Sequence, residues 1–177
     1  MRMTDKSRIF KARFTIADLR QQRNHREVFT TSLTKNETLD HFILKLLGYS
    51  FLSYDKSAKI NNFSDKYRPD VSVKALNEHY TKWLSVDKPD LQRMLKATKV
   101  VDEFIILTTA KSEWLNQAKP QLRLLPNSHL IEIDKQFIDH IKSNLTRNLD
   151  WDITIDQHCV SISDDRYFYH TQEFVWH

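Results

Sequence analysis

The chain has 177 residues, of which 40% are hydrophobic and 28% charged, so it is long enough for a proper core, and we expect residues 1–177 to form a single domain. Its only glycine, Gly48, excludes glycine-rich phosphate loops, and its only cysteine, Cys159, excludes an intrachain disulfide and a cysteine zinc cluster. The net charge of +4 permits contact with nucleic acid, and the lack of a long apolar run or a signal-peptide pattern predicts a cytoplasmic location without membrane contact.

Two antiparallel strands are predicted at the start of the chain. Over Arg8–Asp18 apolar and polar residues alternate, as they do in a strand with one buried face. The polar segment Leu19–Asn24 predicts a turn, and His25–Thr34 is then predicted to be the returning strand.

A helix is predicted over residues 36–53. Thr34 and Glu37 have the spacing of a capping box, with Thr34 as the N-cap and Glu37 at the third helical position. Apolar residues at helical spacing predict the buried face of this helix, namely Leu39, Phe42, Ile43, Leu46 and Leu47.

The segment from Tyr54 to Tyr67 is predicted to be a long, locally basic connection. Its cations are interleaved with aromatic side chains; the cations are Lys56, Lys59, Lys66 and the adjoining Arg68, and the aromatic residues are Tyr54, Phe63 and Tyr67. Such a loop could contact phosphates and stack bases, which makes nucleic acid a candidate partner. The alternative is that the aromatic residues only hold the loop against the core.

A second hairpin is predicted from Pro69–Ala75 and His79–Val86. Pro89 is expected in the first turn of a following helix, where its missing N–H costs nothing. Asp87 and Asp90 add negative charge near that helix start, which the helix dipole favours.

One face of this hairpin is predicted to carry a polar cluster, made up of Asp70, Ser72, Ser85 and Asp87. Carboxylates on adjacent strands beside a helix N-terminus can hold a divalent cation. In the alternative interpretation, Asp70 is a solvated residue at a strand start and Asp87 is a helix cap.

Buried strands alternating with helices are predicted next. The continuous apolar run Glu103–Thr109 is typical of a central strand that is covered on both faces. His129–Ile133 predicts a second buried strand, and helices capped by Ser112 and Asp134 are expected beside these strands.

The tail is predicted to form three short antiparallel strands, at Trp151–Ile155, His158–Ser163 and Tyr167–Trp176. The aromatic residues of the last strand form either an interaction surface or ordinary packed edge structure. The histidines show no metal-binding spacing, since they fall on different predicted elements.

Taken in order, several segments resemble the YaeQ family of bacterial proteins, a divergent branch of the PD-(D/E)xK nuclease-like superfamily. They cover most of the chain and are Arg8–Asp18, Thr34–Phe51, Pro69-Asp70, Trp83–Ala97 and the C-terminal run of short strands. The resemblance implies an α/β (α+β) fold with a restriction-endonuclease-like core. We expect one mixed sheet that holds both hairpins and the two apolar strands, flanking helices, and a C-terminal antiparallel meander.

The resemblance also implies site residues. The catalytic positions correspond to Asp70, Ser85 and Lys88, and the candidate ligands of a Mg²⁺ ion are Asp70, Glu37 and Asp87. Lys88 would stabilise charge that develops on the phosphate. Glu37 therefore has two interpretations, as a metal ligand or as the capping residue described above.

The chain departs from the family pattern at the site. Ser85 stands where the family usually has Asp or Glu, Asp87 where it usually has Gly, and Lys88 where it usually has Gln. A divalent ion needs charged ligands to offset its dehydration, and serine is neutral. Two hypotheses follow: a nuclease-like domain used for binding without catalysis, which the missing acid favours, and a Mg²⁺-dependent nuclease that acts on DNA or RNA phosphodiesters. The protein partner is not predicted.

Overall fold

A computed structural model of the chain describes residues 7–61, 68–109, 111–171 and 174–177. The helices and strands within these ranges are, in chain order, β1 (Arg8–Asp18), β2 (Arg23–Leu33), α1 (Leu39–Leu52), β3 (Ala58–Ile60), β4 (Val71–Lys74), β5 (Tyr80–Val86), α2 (Leu91–Ala97), β6 (Glu103–Thr109), α3 (Glu113–Leu122), β7 (Ser128–Ile133), α4 (Lys135–Ser143), β8 (Asn148–Ile155), β9 (Val160–Ser163), β10 (Phe168–His170) and β11 (Phe174–Trp176). None of the helices described is long and apolar enough to cross a lipid bilayer.

The strands form two mixed sheets. The first sheet has the order β10-β9-β8-β1-β2, in which β1 and β8 are parallel and the other neighbours are antiparallel. The second sheet has the order β11-β7-β6-β5-β4-β3, in which β5, β6 and β7 are parallel. The α/β class, with mixed sheets and flanking helices, is therefore confirmed.

Both predicted hairpins and both apolar strands are present. The hairpins are β1-β2 and β4-β5, and the central strand β6 is buried from residue 104 to residue 108 because both of its faces are covered. Parallel neighbours need a crossover connection, and α2 and α3 supply it between β5 and β6 and between β6 and β7.

The prediction of one sheet was wrong, because the first hairpin pairs with the tail of the chain and not with the central strands. β1 lies parallel to β8, with Phe14 opposite Trp151, and these two rings stack with their centroids 5.1 Å apart. This pairing buries the apolar face of the first sheet against the same core that the second sheet covers from the other side.

The last predicted strand was wrong in its extent, because Tyr167–Trp176 contains two strands that belong to different sheets. β10 continues the antiparallel meander of β8 and β9, whereas β11 pairs with β7 at the edge of the second sheet. Phe174 is buried and stacks on Phe51 of α1, with the ring centroids 5.6 Å apart. Burial of this ring stabilises the arrangement in which the chain leaves the meander and pairs with β7.

α1 begins later than predicted. Its N-cap is Thr38, whose hydroxyl accepts a hydrogen bond from the backbone N–H of His41 at 3.1 Å. The prediction of Thr34 as the N-cap was therefore wrong, although the Thr34 backbone N–H does donate to the Glu37 carboxylate. Glu37 precedes the helix, and its Oε1 is 3.5 Å from the Thr34 backbone nitrogen, which is long for a hydrogen bond.

α1 lies in the core between the two sheets and is buried along almost its whole length. It meets the first sheet through Phe10 and Phe42, whose ring centroids are 4.7 Å apart. It meets the second sheet at Gly48, where an added Cβ would lie 2.6 Å from Leu84 Cδ2. The missing side chain therefore allows α1 to pack closely on β5, one of the strands that carry the candidate site.

The second sheet is covered on both faces, as the alternation in the central hairpin predicts. One face contributes four apolar side chains to the core between the sheets: Val71, Val73, Leu84 and Val86. The opposite face carries Trp83 and Phe104 into a second core, which α2 and α3 complete.

Pro89 lies before α2 and not in its first turn, so that prediction was wrong. The N-cap is Asp90, whose carboxylate accepts a hydrogen bond from the Arg93 N–H at 3.1 Å. A side-chain acceptor at the cap position satisfies a free backbone donor, and here it sets the helix start at Leu91.

Candidate functional site

Asp70 and Ser85 lie side by side at one cavity. The antiparallel register pairs Val71 with Leu84, and the backbone N–H of Asp70, just before β4, donates to the Leu84 carbonyl at 3.0 Å, next to Ser85. Both residues line a cavity of about 350 Å³, so they meet on one side of the sheet as predicted, although Asp70 lies just before β4 and not within it. The other predicted residues that line this cavity are Asp87 and Lys88.

The carboxylate of Asp70 is held at both of its oxygens. Oδ2 accepts a hydrogen bond from the backbone N–H of Val86 at 2.9 Å, which ties the start of β4 to the end of β5. Oδ1 is 3.1 Å from Nε2 of His41, which reaches the cavity from α1. Asp70 is therefore already paired with a side chain that the sequence analysis did not include in the site.

His41 connects Asp70 to Glu37. The Nδ1 atom of His41 is 2.6 Å from Oε2 of Glu37, and the Nζ atom of Lys45 is 2.9 Å from the same oxygen. The side chains of Glu37 and Lys45 are completely buried. A buried carboxylate requires such partners, because its transfer from water is otherwise very costly.

This bridge changes the protonation of its members. Burial is the largest single influence on the pKa of His41, and it disfavours the charged imidazole. The hydrogen bonds and charges of Asp70 and Glu37 together outweigh burial and raise the pKa of His41 to about 9. Burial likewise opposes ionisation of Glu37, yet His41 and Lys45 together lower the pKa of that carboxyl below its ordinary value of 4.5. At neutral pH His41 is therefore an imidazolium, with the ionised Glu37 on one side and Asp70 on the other.

The candidate Mg²⁺ ligands are separated by this imidazolium. In the described part of the chain, no three His, Cys, Asp or Glu side chains are arranged to hold a metal ion. A divalent ion at Asp70 and Glu37 would have to displace His41, which contacts both carboxylates, and it would find a neutral hydroxyl at Ser85. The residues therefore do not fit a bound Mg²⁺ ion.

The hydroxyl of Ser85 is also engaged. Its Oγ accepts a hydrogen bond from the indole Nε1 of Trp83 at 3.1 Å. Ser85 stands where the resembled family usually has an acid, and here its hydroxyl helps to hold the Trp83 ring.

Asp87 enters the cavity through an unusual backbone conformation. It directly follows β5 and has a φ of 67°. This left-handed region favours glycine, the residue that the resembled family usually has here. Burial raises the pKa of the Asp87 carboxyl, and the charges of His41 and Lys88 oppose that effect.

We expect Asp87→Gly to raise the free energy of unfolding by about 1 kcal/mol. The change relieves left-handed strain and removes a carboxyl whose ionisation burial opposes. Urea denaturation is the measurement. Two variants serve as controls. Asp87→Asn removes the charge and keeps a side chain at this φ, whereas Glu78→Gly relieves a φ of 66° in an exposed turn. A clear loss of stability in Asp87→Gly alone would contradict this expectation.

The spacing of Glu37, His41 and Lys45 is the signal that sequence reasoning missed. These residues recur every four positions, so they lie along one side of the helix, with Glu37 just before it. A pattern of paired histidines does not include this spacing, because the neighbours of His41 along the chain are a carboxylate and a lysine.

The basic connection is only partly described. Phe63, Lys66 and Tyr67 lie outside the described residues. Tyr54 is half-buried, and its hydroxyl contacts Lys82, whose Nζ lies 5.0 Å from the centre of its ring. For Tyr54 this contact agrees with the interpretation that the aromatic residue holds the connection against the core.

Comparison with known proteins identifies the family. Its sequence model, described as YaeQ protein, matches residues 3–172. Among curated proteins none matches this chain. The chain is similar to the crystal structure of a YaeQ protein from Pseudomonas syringae, with a TM-score of 0.88 and 21% identity over 96% of this chain and 95% of that chain.

A second similar crystal structure is that of the YaeQ protein from Xanthomonas axonopodis pv. citri, with a TM-score of 0.87 and 18% identity over 94% of this chain and 96% of that chain. At these identities the two structures show a shared fold. Because the sequence model of the family covers residues 3–172, the chain belongs to the YaeQ family.

Proposed function

We propose that this protein is a nuclease-like domain with a restriction-endonuclease-like core that binds nucleic acid and does not cleave it. The observation that carries the proposal is the His41 ring between Glu37 and Asp70. Two acids that would bind a metal in a nuclease of the resembled superfamily are here neutralised from within the protein.

The charges of the bridge support a site that works without a metal. The imidazolium of His41 and the ammonium of Lys45 balance Glu37 and Asp70 at distances of 2.6–3.1 Å. In nucleases of the resembled superfamily, cleavage of a phosphodiester uses an ion that activates water and neutralises the scissile phosphate. A protein cation can neutralise charge, but it doesn't lower the pKa of a bound water as a metal does.

Nucleic acid is the partner that the charge distribution supports. Besides His41, three cationic side chains line the cavity, namely Arg68, Lys88 and Arg93. Lysine and arginine contacts to phosphates supply most of the non-specific affinity of a nucleic-acid-binding protein. The positive net charge of the whole chain acts in the same direction.

A Mg²⁺-dependent nuclease is the second candidate. The observation that favours it is that Asp87 lines the same cavity as Asp70, so a second acid is present close to the position of Ser85. In that case Lys88 would stabilise phosphate charge. The position of His41 weighs against it, because a divalent ion at Asp70 would have to displace that side chain.

A cleavage assay separates these candidates. We expect no metal-dependent cleavage of single- or double-stranded DNA or RNA by the wild-type protein with Mg²⁺ or Mn²⁺, and measurable binding of the same substrates by fluorescence anisotropy. Asp70→Ala is the control for contaminating nucleases. Wild-type cleavage that Asp70→Ala abolishes would contradict the proposal. Cleavage that appears in Ser85→Asp, and not in the uncharged variant Ser85→Asn, would support a scaffold that has lost one ligand.

A further inference from the structure

We propose that the cavity beside Asp70 binds a nucleotide, either free or as an unpaired residue of a strand, with its base on an apolar floor and its phosphate at a cationic rim. The inference rests on the proposed nucleic-acid-binding function. It goes further by naming the unit that enters the cavity and the side chains that hold each part.

The floor of the cavity is apolar and partly aromatic. Its side chains come from β5, β6 and α2 and are Trp83, Phe104, Met94 and Ala97. All of them are buried except Trp83, which is half-buried. A flat heterocycle is the ligand group that such a floor stabilises best, since stacking on an aromatic face needs no particular hydrogen-bond pattern.

The Trp83 ring is held in place by its neighbours. It stacks on Phe104, with centroids 6.5 Å apart and an interplanar angle of 24°, and Tyr80 meets it edge-on at 5.1 Å. Its Nε1 donates to Ser85, which removes the rotational freedom of the indole. A ring that is oriented before binding loses little entropy when a ligand stacks on it.

The rim of the cavity carries exposed cations from three segments of the chain. Arg68 precedes β4, Lys88 follows β5, and Arg93 lies on α2. Arginine and lysine side chains bind phosphate through charge-assisted hydrogen bonds. The change from a buried aromatic floor to an exposed cationic rim therefore matches a nucleotide, which has a flat base at one end and an anion at the other.

Two of the three acidic side chains that line the cavity already have hydrogen-bonding partners. Asp70 is paired with His41, and Asp90 accepts the backbone N–H of Arg93. The charge of Asp87 interacts with His41 and Lys88. These contacts leave the cavity less negative than a count of its carboxyl groups suggests.

The size of the cavity agrees with one nucleotide. Its volume of about 350 Å³ is at the lower end of the range for small-molecule sites. Paired bases inside a duplex are covered on both faces, so only an unpaired base can reach Trp83.

Calorimetric titration of the full chain tests the inference, with AMP, ribose 5-phosphate and adenosine as probes. We expect AMP to bind more tightly than either fragment, because only AMP uses both floor and rim. Trp83→Leu should weaken AMP about tenfold and leave ribose 5-phosphate unchanged. The matched control is Trp114→Leu, which changes a partly buried tryptophan of the same core that does not line the cavity.

The rim is tested in the same way. Arg93→Ala should weaken AMP and ribose 5-phosphate by the same factor, whereas Lys96→Ala, on the same helix but away from the cavity, should weaken neither. If Trp83→Leu lowers the melting temperature, Trp83→Phe keeps an aromatic ring and should retain AMP binding. Weaker binding of a single-stranded oligonucleotide than of AMP would identify a free nucleotide as the ligand, and stronger binding would identify a strand.

Two results would overturn the inference. One is equal affinity for AMP and ribose 5-phosphate, and the other is unchanged AMP affinity in Trp83→Leu. Neither result affects the proposed absence of cleavage, which the assay with Mg²⁺ and Mn²⁺ tests independently.

Discussion

His41→Leu is expected to lower the free energy of unfolding by about 3–5 kcal/mol at neutral pH. The change removes the only group that contacts both Glu37 and Asp70 among the described residues, and it leaves two carboxylates facing an apolar side chain. Removal of one partner of a buried charge network costs more than the pair contributes when intact, because the remaining charge has lost its compensation.

Urea denaturation of the purified variant measures this loss. The matched control is His79→Leu, because His79 also pairs with a carboxylate, at 2.7 Å from Asp102, but the two side chains are 43% and 63% exposed. An exposed pair of this kind contributes less than about 1 kcal/mol. Equal stabilities of His41→Leu and His79→Leu would show that the bridge does not stabilise the fold.

The wild-type protein is expected to lose about 3 kcal/mol of unfolding free energy as the pH rises from 6.5 to about 9. The pKa of His41 is raised in the folded protein, so folding favours its protonated form. This contribution is fully present below the pKa of the unfolded state, near 6.5, and it is lost as the pH passes the folded value of about 9.

Denaturation curves recorded across this pH interval test the prediction. In His41→Leu this loss of stability should be absent over the same interval, because the variant lacks the imidazole whose pKa folding raises. A flat profile in the wild type would mean that His41 is neutral in the folded protein. At the acidic end, the lowered pKa of Glu37 acts in the opposite sense, since its contribution is present above its ordinary pKa and is lost as the pH falls.

These two experiments bear directly on the proposed function. A protonated His41 that stabilises the fold acts as the cation of the site, and a divalent ion would then have to displace it. We therefore expect weak or absent Mg²⁺ binding from the same bridge, which joins α1 to the start of β4.

Several strands of this protein were determined by the sequence alone. Alternation over Arg8–Asp18 predicts the strand with its observed bounds, and the apolar run Glu103–Thr109 predicts the central strand in the same way. Such patterns are reliable because burial of one face or of both faces leaves a period in the chain. The neighbouring positions of Asp70 and Ser85 follow from the same alternation in two adjacent strands.

The partners of these elements were decided by the tertiary structure. Periodicity shows that β1 buries one face, but it does not show that β8 from the tail completes its sheet. Likewise, residues four positions apart reveal that Glu37, His41 and Lys45 are neighbours, but not that His41 reaches Asp70. That contact depends on how closely α1 packs on the second sheet at Gly48, which is a distance between remote segments. The charge of the site, and with it the expected exclusion of a metal, is therefore a property of the packed core and not of any local pattern.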